Sequence, residues 1–78
     1  MVKRQVILSF TEQALREPII FNLGQQFNLV SNIRFADVTS DRGWIEVELE
    51  GSEDDIEQGI SWVTSRGVKV EPVTGNAP

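Results

Sequence analysis

Along residues 2 to 10 the side chains alternate, with Val6, Leu8 and Phe10 on one face and Lys3, Gln5, Ile7 and Ser9 on the other. A period of two over this length predicts a strand buried on one side. Residues 11 to 17, TEQALRE, lose the alternation and read as a polar connection. Pro18 suits the first turn of a helix, where its missing N–H leaves no bond unmade. Ile20, Leu23, Gly24 and Phe27 follow at the i, i+3, i+4, i+7 spacing of one helical stripe. Alternation returns from about Leu29 to Thr39, putting Leu29, Ile33 and Phe35 inward and Val30, Asn32, Arg34, Ala36 and Val38 outward. The turn SDRG leads into residues 43 to 50, where Ile45, Val47 and Leu49 point inward and Trp44, Glu46, Glu48 and Glu50 outward. In the hairpin drawn this way Phe35 faces Val47, with Arg34 across from Glu48, Asn32 from Glu50, Ala36 from Glu46 and Val38 from Trp44.

The stretch GSEDDIEQGISWVTSRG has the terminal signals of a second helix. Ser52 is the N-cap with Asp55 three residues on, acidic residues sit at the positive dipole end, and Gly67 closes the helix in the left-handed conformation. Ile56, Gly59, Ile60 and Val63 form its buried stripe. A glycine in a helix interior costs about 1 kcal/mol against alanine, so Gly59 points to close packing. VKVEPV is a last short strand before TGNAP. The order is βαββαβ, and two helices share one core with one-sided strands only if both cover the same sheet face. The expected fold is α+β, a ferredoxin-like sandwich with a four-stranded antiparallel sheet and two helices on one face. Residues 1–73 make the domain and 74–78 a flexible tail. Ile33, Phe35, Ile45, Val47, Leu49, Ile60 and Val63 are the expected core.

Length makes self-association attractive: a 78-residue chain buries only about 60% of the surface its unfolded form exposes. Its single core is marginal, and the open sheet face and strand edge invite a homodimer. There is neither cysteine nor histidine. This removes disulfides, thiolate zinc sites, cysteine nucleophiles and histidine bases, and no nucleophile–base pair stands out among the remaining groups. A non-enzymatic protein without a cofactor is expected. The net charge of −5 works against nucleic-acid binding, and the seven basic residues are scattered. RNA-binding RRM domains share the βαββαβ order but need aromatics within basic motifs, which are absent. Val6 to Phe10 is too short an apolar run for a signal peptide or membrane span, so a cytoplasmic protein is expected. The acids Glu46, Glu48, Glu50, Glu53, Asp54 and Asp55 suggest a hard cation. Capping and the helix dipole already account for the helical ones, and no metal site is expected.

From about Ile7 to Val73 the chain resembles the NIL domain, a small ferredoxin-like module found at the C-terminus of methionine-importer ATPases. The matching stretches are EPII at the first helix, FNLVSNI leading into the second strand, Gly43 before the third, and EGSEDDIEQGISWVTSRGVKVE through the last helix and strand. The family's triplet of asparagine, isoleucine and leucine reads Asn32, Ile33, Arg34 here, with a guanidinium in the third place. The resemblance is to a domain standing alone, since no Walker motif accompanies it. It implies a regulatory fold akin to amino-acid-binding ACT domains, dimeric, with ligand near the subunit junction; in the transporter relatives that ligand is methionine. It also implies that Asn32 contacts ligand. Arg34 and Val38, outward on the same strand, complete the candidate ligand-binding set, Arg34 as a fork for a carboxylate.

Trp44 on the open face would bury about 150 to 250 Å² if covered, which suits an interface anchor as well as packing against its own neighbours. Phe21, opposite the buried stripe of the first helix, is the second interface candidate. These features favour a homodimeric sensing module for an amino-acid-like ligand. An adaptor that docks a protein through its open sheet or edge strand, with no small ligand, is the alternative.

Overall fold

The computed structural model describes residues 1–73, and the tail expected at 74–78 lies outside the described residues. The elements are β1 (Val2–Thr11), α1 (Glu12–Leu15), α2 (Ile19–Phe27), β2 (Val30–Val38), β3 (Arg42–Gly51), α3 (Glu53–Ser65) and β4 (Lys69–Pro72). Every strand pairing is antiparallel, and the sheet order is β2-β3-β1-β4. This is the expected ferredoxin-like α+β arrangement with one additional short helix, α1. The TEQALRE stretch is therefore not all connection: Thr11 caps α1, accepting the Ala14 N–H at 3.3 Å, and Ala14 is buried. Ala14, with Leu15 partly buried beside it, holds that turn to the core, too short a signal to show as a stripe.

The core lies between the sheet and the helices. Val6, Leu8 and Phe10 of β1 and Val47 and Leu49 of β3 meet Ile19, Leu23, Ile56 and Val63 of the helices. The β1 and β3 alternations hold, and Ile45 and Ile60 pack partly buried against this cluster. Burying a Leu or Val side chain contributes about 1.5 to 3 kcal/mol, so this layer holds the fold. In α2 the most buried positions are Ile19 and Leu23, while Ile20 and Phe27 flank the core. The C-cap Asn28 is left-handed at φ 54°, a conformation asparagine tolerates.

At Gly59, α3 packs closely against α2 and against Leu29 just beyond it. A β-carbon there would lie 2.8 Å from Leu23 Cδ1 and 2.9 Å from Leu29 Cδ1. The Ser52 hydroxyl accepts the Asp55 N–H at 3.0 Å, and Gly67 ends the helix at φ 86°. The expected caps and close approach are all present.

Strand β2 departs from its sequence reading. Ile33 lies opposite Val47, but Phe35 lies opposite Glu46, so Arg34 is the additional residue of a bulge. Up to Ile33 the expected faces hold; beyond the bulge they reverse. Phe35, expected in the core, is instead on the open face and 62% exposed. Ala36 and Val38, expected outward, lie opposite Ile45 and Gly43 on the helix side. The expected hairpin register is corrected with them: Asn32 faces Glu48 and Val30 faces Glu50. Ile33 keeps its expected face yet is 51% exposed, because α2 packs mainly on α3 and barely reaches this edge strand.

Candidate functional site

The open face is a grid of cross-strand rows. Asp37, Trp44, Ser9 and Lys69 form one row, and Phe35, Glu46, Ile7 and Glu71 the next. A third holds Asn32, Glu48 and Gln5, and a fourth Val30, Glu50 and Lys3. Because the bulge brings Phe35 onto this face, its ring stacks on Trp44 with centroids 5.5 Å apart and planes within 2°. Such a pair adds about 0.5 to 1.5 kcal/mol beyond the area it covers. Trp44 is thus packed by a neighbour of its own domain and remains half-buried.

Arg34 and Glu48 approach to 3.7 Å. The ion pair expected between them exists, but the bulge delivers it diagonally, since Asn32 holds the position straight across from Glu48. Both side chains touch water, so the pair contributes at most about 1 kcal/mol. Asn32 and Arg34 therefore converge on one glutamate at the edge of the open face. Val38 does not join them; it lies over Gly43 on the opposite side of the sheet, its Cγ2 3.0 Å from where a β-carbon on Gly43 would stand. Phe21 is exposed, but on the helix layer beside Pro18, Ile20 and Ile45. It shares no surface with Trp44.

A shallow, open depression of about 450 Å³ lies at the hairpin end of the sheet, lined by Ser9, Asp37, Thr39, Arg42 and Trp44. The sequence reading passed over Asp37, Ser9 and Arg42. Their signal, charges and a hydroxyl in line with an aromatic, becomes visible only once the register is known. Thr39 ties the turn by donating its hydroxyl to the Arg42 carbonyl, 2.9 Å away. Among the described residues no three histidine, cysteine, aspartate or glutamate side chains are grouped to hold a metal ion. None of the described helices is long and apolar enough to cross a membrane.

Residues 4–72 match the NIL domain family. The chain belongs to that family. As a NIL domain it is similar in structure to the C-terminal domain of an ABC transporter ATP-binding protein from Enterococcus faecalis. The TM-score is 0.80 at 23% identity, over 94% of this chain and 84% of that one. At that identity the likeness speaks for the fold. No curated protein matches the chain in sequence.

Proposed function

We propose that this NIL domain is a non-enzymatic regulatory module that self-associates as a homodimer and senses a small amino-acid-like ligand near the subunit junction. The observation that carries the reading is β2. It is an edge strand of nine residues in which every side chain but Ser31 is exposed, and it bears Val30, Ile33, Phe35 and Val38. Apolar surface left on a sheet edge is surface for a partner. Asn32 and Arg34 stand on that same edge, an amide able to donate and accept and a guanidinium suited to a carboxylate. A ligand beside the junction would bind more tightly to the assembled form and report its presence through assembly.

Methionine is the first ligand to try and an ABC transporter component in the cytoplasm the first partner, since the Enterococcus relative is a domain of an ATP-binding transporter protein. Light scattering of the native chain together with titration calorimetry against each common amino acid tests the reading. A dimeric mass and heat with one amino acid, lost in Asn32→Ala, are the expected results. A dimer silent to every amino acid leaves the adaptor reading, and a monomer at high micromolar concentration removes the junction altogether.

A further inference from the structure

We infer that β2 is a two-register switch: its end slides by one residue against β3, which removes the bulge and carries Phe35 from Trp44 on the open face to a cavity beside Ile45 on the helix side.

The register described above holds one residue too many. Ile33 lies opposite Val47 and Phe35 opposite Glu46, with Arg34 additional between them. Continuing the Ile33 register without interruption sets Arg34 opposite Glu46, Phe35 opposite Ile45, Ala36 opposite Trp44, Asp37 opposite Gly43 and Val38 opposite Arg42. The residues that move are paired on one side only, because β2 is the last strand of the sheet. The turn absorbs the slide. It closes on the Thr39 N–H and the Arg42 carbonyl, 2.8 Å apart, around Ser40 and Asp41. In the second register the loop gains Thr39. Hairpin loops of two and of three residues are both common, and aspartate tolerates the left-handed conformation that a three-residue loop places at its end.

The ring has a second seat. An open apolar cavity of about 210 Å³ lies beside Ile45, lined also by Phe10, Leu15, Ile20 and Phe21, and an apolar cavity of about 150 Å³ is enough to take up benzene. The strand position next to Ile45 is filled by Ala36, which is small and exposed. Phe35 is 62% exposed in spite of its stack on Trp44. Its move exchanges one aromatic contact for burial among apolar side chains. No charge is buried in return. Arg34 passes from Glu48, 3.7 Å away, to a place straight across from Glu46. Asp37 takes the hairpin-end position where Val38 is 52% exposed.

The two registers present different open faces. One carries the stacked rings and Asp37; the other bares Trp44 and sets Arg34 beside Glu46. A ligand or partner that touches Trp44 or Arg34 binds the two unequally and shifts their populations by that difference.

The Arg42 carbonyl points to β2, so on the regular strand β3 residues 43 and 45 are unbonded positions. A residue opposite either has its Cα about 4.5 Å away, within disulfide reach. The chain contains no cysteine, so paired cysteines can lock each register. Ala36→Cys with Ile45→Cys are opposite only in the bulged register, and Asp37→Cys with Gly43→Cys only in the second. In the native chain, NMR relaxation dispersion, which reads microsecond-to-millisecond exchange, is expected at the amides of residues 34–46 and at the Trp44 indole. Oxidising the first pair is expected to abolish it. Oxidising the second is expected to give nuclear Overhauser contacts from the Phe35 ring to Ile45 and Ile20, and none to Trp44. Deletion of Arg34 removes the additional residue and leaves Phe35 over Trp44 in an unbroken strand, so it too is expected to abolish the dispersion, and it decides where a cysteine pair fails to fold. A native chain without dispersion, dispersion that survives the deletion, or a Phe35 ring that stays on Trp44 in the oxidised second pair overturns the switch.

Discussion

Gly59 and Ser31 show how single atoms decide stability here. At Gly59 an added methyl group would gain about 1 kcal/mol of helix propensity. It would also press on two leucine methyls at under 3 Å, and both leucines are buried, so overpacking of about 1 to 3 kcal/mol prevails. Gly59→Ala is expected to lower unfolding stability by about 1 kcal/mol in urea titration, the net of those two effects. The Ser31 hydroxyl is the opposite case, buried with no hydrogen-bond partner. Removing an unsatisfied buried polar atom relieves its desolvation cost, so Ser31→Ala should stabilise by about 1 kcal/mol in the same assay. Val47 is fully buried, and Val47→Ala should cost about 2 kcal/mol through lost burial and the cavity left behind. Arg34 separates structure from ligand. Arg34→Leu restores the family triplet and removes an exposed ion pair. It should change stability by less than about 1 kcal/mol, while a ligand role for the guanidinium would show as lost amino-acid heat in calorimetry.

Among the elements, α3 and β2 stand at two extremes of local specification. Every feature of α3 is written within its own residues: the Ser52 cap, three acids in the first turn and a stripe through Ile56, Gly59 and Val63, and Gly67 in the left-handed conformation that ends it. Ser52→Ala should therefore cost about 1 kcal/mol by the ordinary loss of an N-cap, read as a lower thermal midpoint with unchanged helix content in the folded state. For β2 the residues offer two readings. Either face of VSNIRFADV carries apolar side chains, so periodicity alone admits an unbroken strand with Phe35 inward. The bulge at Arg34 instead lets Ile33 lie opposite Val47 and Ala36 opposite Ile45, so that the small, exposed Ala36 takes the helix-side position that an unbroken strand would give to Phe35. Phe35 is then free to stack on Trp44.

At the scale of the molecule, the homodimer proposed above would make assembly and stability a single quantity. A protein stabilised by its own partner unfolds at a temperature that rises with protein concentration. On that proposal the native chain should show the rise in scanning calorimetry, and Phe35→Asp, which places a carboxylate on the exposed apolar edge, should abolish it. The sequence by itself determined the strand–helix order apart from the short α1, the buried faces of β1 and β3, both ends of α3 and the close packing at Gly59. Each depends on a period or a cap contained within a dozen residues. The ion pair of Arg34 with Glu48 was also legible, because a long side chain reaches across a small error in register. Tertiary structure decided the bulge, the exposure of Phe35, the turning of Val38 away from Asn32 and Arg34, and the separation of Phe21 from Trp44. An edge strand is held on one side only, with few helix contacts to penalise either face, so its register follows from the fit to β3 and the reach of α2, neither of which is encoded within the strand.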